Sequence, residues 1–349
     1  MKIAPLYEEI KSRGGSQILV HTGQHYDENM SKIFFEDLSM PEPDVYFGIG
    51  SGSHASQTAR IMLEFEKTML DTNPELVVVV GDVNSTLACS LVCAKMGIPI
   101  AHVESGLRSF DRTMPEEINR ILTDSISDFL FTPSIDANEN LLNEGVDPGK
   151  IHFVGNIMID SLLRSVEKSN KSTIMKEFGL ETNGFGILTL HRPSNVDSPD
   201  SLLDLVESAC LASDYSQIIF PVHPRTMKLL ENEKLANLIK SSNLTLCEPL
   251  GYLDFISLLS NSKFVLTDSG GIQEESTALG IPCLTMRENT ERPITVSMGT
   301  NTIVGKDRGL LLSLVSEIFQ GRGKTGTIPE YWDGETSSRI SDIIQFAIS

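Results

Sequence analysis

At 349 residues the chain is longer than one hydrophobic core ordinarily organises, so two domains of common size are expected. Lys and Arg number 28 against 47 Asp and Glu, and a net charge of −19 argues against nucleic acid and anionic membrane as partners, because both are bound through basic surfaces. No apolar run approaches the roughly 18 residues of a membrane helix and no signal-peptide pattern opens the chain; the five cysteines (Cys89, Cys93, Cys210, Cys247, Cys283) lie in apolar segments without a Cys-x-x-Cys pair, so a cytoplasmic protein with buried, reduced thiols is expected.

In chain order, residues 1–11 already read as helix and the first strand candidate is 17–20, although an α/β domain usually opens on a strand. Short β-branched runs then alternate with helix-length amphipathic segments: 76–80, 100–103, 129–132 and 151–154, and later 186–190, 218–221, 244–247 and 264–267, with a further strand at 282–285. This rhythm predicts an α/β chain of two doubly wound parallel-sheet domains facing a cleft. Around Gly155-Asn156 the pattern changes to a long polar helical stretch, 160–181, which sets the junction: a first domain over 1–157, a second over 158–333, and a single helix in the tail 334–349.

The residues that carry chemistry sit just beyond strands, on the side where such sheets bind ligands. Gly81-Asp82 follows 76–80 and Glu104-Ser-Gly-Leu-Arg108 follows 100–103, so two carboxylates stand at neighbouring strand ends. Glu116 and Arg120 lie one turn apart on the next helix. Local alternatives stand beside these readings: Thr113-x-x-Glu116 fits a capping box, and Asp82 suits a helix N-cap. His191-Arg192 and Pro221-Val-His223-Pro-Arg225 each set a His and an Arg beyond a strand, the pairing that a diphosphate leaving group requires. In Thr267-Asp-Ser-Gly-Gly-Ile-Gln-Glu-Glu275 a Gly pair opens a helix, where free N–H groups at Ser269, Gly270 and Gly271 attract phosphate; the alternative is a plain strand-to-helix turn. The cluster from Arg287 to Arg292 reads as a cationic loop or a solvated charge patch. No P-loop is present, Ser53 stands where a dinucleotide fingerprint wants its third glycine, and His21, His25, His54 and His102 lack metal-ligand spacing, so neither a cofactor nor a metal is expected.

Taken together, Thr22-Gly-Gln-His25, Gly81-Asp82, His102-Val-Glu-Ser-Gly-Leu-Arg108, Met114-Pro-Glu-Glu-Ile-Asn-Arg120, His191-Arg192, Pro221-Val-His223, Asp268-Ser-Gly-Gly-Ile-Gln-Glu-Glu275 and Thr290-Glu-Arg-Pro293 resemble the UDP-N-acetylglucosamine 2-epimerases over nearly the whole chain. The Gly-Gly-Ile-Gln-Glu-Glu run and the later Glu-Arg-Pro are similar to the non-hydrolysing branch, which interconverts UDP-GlcNAc and UDP-ManNAc. The resemblance implies a glycosyltransferase-B-like pair of Rossmann-type domains, a C-terminal helix that crosses back to the first domain, and a homodimer. It also implies elimination of UDP to a 2-acetamidoglucal intermediate and re-addition with C2 inverted. On it, Asp82, Glu104 and Glu116 share the roles of base, acid and cation stabiliser, and His191 stabilises the departing diphosphate. Lys2 lines the active site, Arg120 and Arg292 contact phosphate or sugar, Ser269, Gly270 and Gly271 hold the diphosphate, and Glu275 binds ribose. Gln24, Arg192 and His223 match an allosteric activator site. Two departures stand out: Ser194 replaces a family Glu, and the family's first strand and its Gly-Thr-Arg-Pro-Glu loop have no counterpart before Met1. Met1 is therefore expected to be an internal methionine of a longer natural chain. Three other readings remain: a hydrolysing epimerase releasing ManNAc and UDP, a glycosyltransferase on the same architecture, and a catalytically impaired nucleotide-sugar binder.

Overall fold

The structure, a computed structural model, describes residues 1–23 and 40–347, with the side chains of Pro193, Ser194 and Arg225 left outside that description. The chain divides into two compact units, Met1–Ser161 together with Glu330–Ser349, and Leu162–Pro329.

In the first unit β1 (Val20–His21) and β2 (Val45–Tyr46) form a parallel pair, while β3 (Val77–Val80), β4 (Ile100–Val103), β5 (Phe129–Thr132) and β6 (Ile151–Phe153) form a parallel sheet in sequential order. The strands are apolar almost without interruption because both sheet faces are covered. Successive side chains point to opposite faces, and the core divides accordingly. Val79 and Ile100 pack with Ile61 and Phe65 of the helix His54–Thr72 and Cys93 of the helix Asn84–Met96. Ala101 and Val103 pack with Leu6 of the helix Ala4–Ser12 and with Ile340 and Ile344 of the helix Thr336–Ala347. Asp160 secures that last helix, its carboxylate accepting from the N–H groups of Thr336 (3.1 Å) and Ser337 (2.7 Å), two donors that the first turn leaves unpaired.

The second unit is one parallel sheet of β7 (Phe185–Thr189), β8 (Gln217–Pro221), β9 (Leu244–Cys247), β10 (Phe264–Thr267), β11 (Cys283–Thr285) and β12 (Asn301–Ile303). Its spatial order is β12-β11-β10-β7-β8-β9. Numbered within the unit, this is the doubly wound order 3-2-1-4-5-6, and the winding reverses between β7 and β10. Those two strands pair with Leu188 opposite Leu266 and Thr189 opposite Thr267, so the loops leaving them emerge side by side at the switch point. Leu188 and Leu266 lie in a core with Leu205, Val206 and Phe220.

Several expected elements take a different form. The strand expected at 17–20 is only Val20–His21, and β12 carries too short and polar a run to be recognised. The long helical stretch is broken into Ile157–Ser169 and Ile174–Glu177. Its serine content reflects packing rather than exposure: Ser161, Ser165 and Ser169 are all buried. All five cysteines are free, and burial raises their thiols, Cys93 to about 12 and Cys283 to about 11. Among the described residues no helix is long and apolar enough to cross a membrane.

Candidate active site

The first unit gathers Lys2, Asp82, Glu104 and Arg120 at the carboxyl ends of β3 and β4. Glu104 is buried and ion-paired with Lys2 Nζ, and its backbone is in the left-handed region at φ +71°. A non-glycine residue there costs about 1–3 kcal/mol and persists only where surrounding bonds enforce it. The Phe131 carbonyl does so, accepting from the N–H groups of both Glu104 and Ser105 at 3.1 Å. Gly81 (φ +73°) clears the space alongside: a Cβ there would lie 3.3 Å from Lys2 Nζ and 3.5 Å from Glu104 Oε2.

Asp82 is not a helix cap. The N-cap of the helix Asn84–Met96 is Val83, and the Asp82 carboxylate instead accepts from Arg120 Nε at 3.1 Å. Nor does the capping box form. The N-cap of the helix Pro115–Ile126 is Met114 without a side-chain bond, and the Thr113 hydroxyl donates to Asp111 Oδ1 at 2.6 Å. Glu116 is half-buried and makes no hydrogen bond or ion pair among the described residues. Its neighbour Glu117 faces inward, pairing with Arg120 Nη1 and accepting from Ser109 N and Phe110 N at 2.9 Å each. Burial pushes the Glu117 carboxyl up, but these donors and Arg120 outweigh it and hold it below its ordinary range. The loop beyond Glu104 is anchored further by Asp124, which accepts from Gly106 N (3.0 Å) and lies 2.6 Å from His102 Nδ1 and 2.7 Å from Arg108 Nη1.

In the second unit the switch point carries the expected residues. Ser269 is the N-cap of the helix Gly270–Leu279, leaving the N–H groups of its first turn unpaired by the helix itself. Beside it Asp268, fully buried, organises the loop after β7. Its carboxylate accepts from His191 N (3.1 Å), Arg192 N (3.0 Å) and Asn195 Nδ2 (3.1 Å), and stands 2.8 Å from His191 Nδ1. Burial pushes the Asp268 carboxyl up, yet the bonds from His191, Arg192 and Asn195 hold it below its ordinary range. The carboxylate therefore fixes the His191 ring with Nδ1 as donor, while the side chain stays 56% exposed and presents Nε2 outward. His223 is exposed after β8. Gln24 lies outside the described residues.

The Arg287 to Arg292 loop is not a solvated patch. Arg192, Arg287 and Arg292 all reach the buried carboxylate of Glu291, and Arg292 also lies 3.2 Å from Glu274. Burial pushes Glu291 up, but Arg292, Arg287 and Arg192 outweigh it and hold the carboxyl far below its usual range. Glu275 is the opposite case. It is buried with one oxygen accepting from the Tyr252 hydroxyl at 2.9 Å, and burial lifts its carboxyl to about 7. A folded carboxyl raised from 4.5 to about 7 binds protons that the unfolded chain has released, so its contribution to stability falls as pH rises through that window, by on the order of 3 kcal/mol. Glu275→Gln removes this penalty. Thermal melts from about pH 5 to about pH 8 should show the variant gaining on the parent as pH rises, and parallel curves would refute this assignment.

Asp268, Glu291, Glu117 and Tyr252 were not singled out from the sequence. Asp268 had a usable signal in its place between a strand end and the Gly pair; the others are partners recognisable only once distant segments meet.

The family profile of UDP-N-acetylglucosamine 2-epimerase matches residues 8–345. The chain is 42% identical over 352 residues to the UDP-N-acetylglucosamine 2-epimerase of Methanocaldococcus jannaschii, covering 99% of this chain and 96% of that protein. It is also 42% identical to the UDP-2,3-diacetamido-2,3-dideoxy-D-glucuronate 2-epimerase of Pseudomonas aeruginosa, over 94% of this chain and 91% of that one. Among solved structures, the M. jannaschii UDP-GlcNAc 2-epimerase in complex with UDP-GlcNAc and UDP superposes with a TM-score of 0.90 at 42% identity, covering 99% of this chain and 96% of the other. With parallel sheets in both of its units, charged clusters at their strand ends and this likeness along nearly its whole length, the chain belongs to the UDP-N-acetylglucosamine 2-epimerase family.

Proposed function

We propose that the protein is a non-hydrolysing UDP-GlcNAc 2-epimerase, an isomerase that interconverts UDP-GlcNAc and UDP-ManNAc. The observation that carries the reading is the strained, buried carboxylate of Glu104 at a strand end of the first unit, ion-paired with Lys2, on a chain 42% identical to a protein named for this activity. A C2 proton beside an acetamido group is barely acidic, so C1–O cleavage has to build positive character on the sugar as the proton leaves. The C2–H electron pair becomes the C1=C2 bond, the C1–O pair departs with UDP, and a carboxylate of the first unit takes the proton. Asp82, Glu104 and Glu116 supply base, acid and cation stabilisation, with Arg120 orienting Asp82 and Lys2 pairing with Glu104. His191, the first turn at Ser269, Gly270 and Gly271, and Arg292 bind the diphosphate as charge develops on it, and Glu275 accepts from the ribose hydroxyls. Re-addition to the opposite face of the 2-acetamidoglucal gives the epimer. The domain boundaries at 157 and 333, a homodimeric assembly and an activator site involving Gln24, Arg192 and His223 belong to the same reading.

A second substrate is favoured by one finding, the equal identity to the diacetamido-glucuronate epimerase. Proton NMR in D₂O with each nucleotide sugar in turn separates the cases. UDP-ManNAc carrying deuterium at C2 supports the proposal, and free ManNAc with UDP supports the hydrolysing branch. Turnover of the diacetamido-glucuronate alone reassigns the substrate, and UDP binding without turnover of either identifies a nucleotide-sugar binder.

A further inference from the structure

We propose that Glu291 is a positioning residue that holds Arg192, Arg287 and Arg292 together as a receptor for the diphosphate of the nucleotide sugar, an inference that rests on the substrate reading above. Glu291 Oε1 lies 3.0 Å from Arg192 Nη2 and 2.9 Å from Arg292 Nη1, and Oε2 lies 2.8 Å from Arg287 Nη2. The carboxylate side chain is 2% exposed, and these guanidiniums arrive from two loops, one after β7 and one after β11. Three guanidiniums this close, Arg292 buried and Arg192 and Arg287 partly so, repel one another unless an anion sits among them. In the free protein Glu291 is that anion.

The cluster is also aimed at a ligand. It lies against the first turn of the ten-residue helix Gly270–Leu279: a Cβ on Gly270 would stand 2.8 Å from Glu291 Oε1 and 3.0 Å from Arg292 Nη1, so a larger residue there would have to displace these charged ends. Two donors in the cluster, Arg192 Nε and Arg287 Nη1, are buried without a hydrogen-bond partner, and the Arg287 side chain is only 9% exposed. Glu291 Oε2 also lacks a hydrogen bond despite its ion pair, so the network does not close on itself, and each open donor costs about 1–3 kcal/mol. A diphosphate at the helix N-terminus accepts from them. With Glu274 and Glu291 set against the three arginines, one positive charge remains, and the helix dipole adds to it. Arg287 thereby becomes a binding residue alongside Arg292, and Arg192 shares its anchor with both.

Calorimetric titration of UDP and of uridine tests this on the full chain. Glu291→Gln keeps the side-chain shape and loses the charge, so UDP affinity should fall on the order of tenfold or more while uridine affinity holds, and Glu291→Asp should recover part of the loss. Arg287→Ala should show the same selective loss, and it decides the matter if Glu291→Gln does not fold. Equal losses for UDP and uridine, or unchanged UDP affinity in a folded Glu291→Gln, would overturn the proposal. So would a parent protein that binds UDP no more tightly than uridine. UDP binding without epimerisation defeats the activity reading and leaves this one standing.

Discussion

Glu104→Gln should lower turnover by about 10²–10⁴-fold while leaving UDP affinity and melting temperature close to those of the parent. The amide keeps the volume of the side chain, and its oxygen still accepts from the Lys2 ammonium, so the ion pair becomes a hydrogen bond from a charged donor to a neutral acceptor without opening a cavity. What it cannot do is take or return a proton. The backbone geometry makes the test informative, because φ +71° at Glu104 is held by the two bonds to the Phe131 carbonyl and not by the carboxylate. Structure should survive where chemistry does not. The assay is C2 deuterium incorporation followed by NMR alongside a thermal melt; a variant within tenfold of the parent rate would remove Glu104 from the proton-transfer machinery.

Asp268→Asn should damage both stability and catalysis, through the same carboxylate. An Asn at that position keeps one oxygen for the N–H of Arg192 but turns an NH₂ toward His191, whose backbone N–H and ring Nδ1–H then face a donor in place of an acceptor. Removing the charge from a buried, multiply bonded group costs about 3–5 kcal/mol, which calorimetric unfolding would register. The His191 ring loses the acceptor that sets its tautomer, and kcat should fall by about 10²–10⁴-fold. In a His191→Ala background the catalytic part of the loss should vanish and the stability part should remain. If the two substitutions multiplied their effects on kcat, Asp268 would act at the diphosphate by some route other than the imidazole.

Much of the candidate site was legible without coordinates because a parallel α/β sheet delivers its loops at the carboxyl ends of apolar runs. Asp82, Glu104, His191 and Ser269 each follow such a run within a few residues, so a list of strand ends was already a list of candidates. The local rules misled where a tertiary partner offered a better bond. Thr113 and Glu116 have the spacing of a capping box, yet Thr113 turns to Asp111 and the buried Arg120 draws on Glu117, because Glu117 is the acid that faces the loop at 109–110. Arg287 and Glu291 looked like surface charge because composition carries no information about burial.

The sequence by itself determined the α/β class, the alternation of strands and helices, and which residues stand at strand ends, since these follow from the periodicity of neighbouring side chains and the chemistry of Gly and Pro. Only the tertiary structure decided which charges meet. Lys2 and Glu104 are 102 positions apart, His191 and Asp268 are 77, and Arg192 and Glu291 are 99. Bonds over such separations depend on the sheet order that places β7 beside β10, and on desolvation that makes an unpaired charge too costly to leave alone.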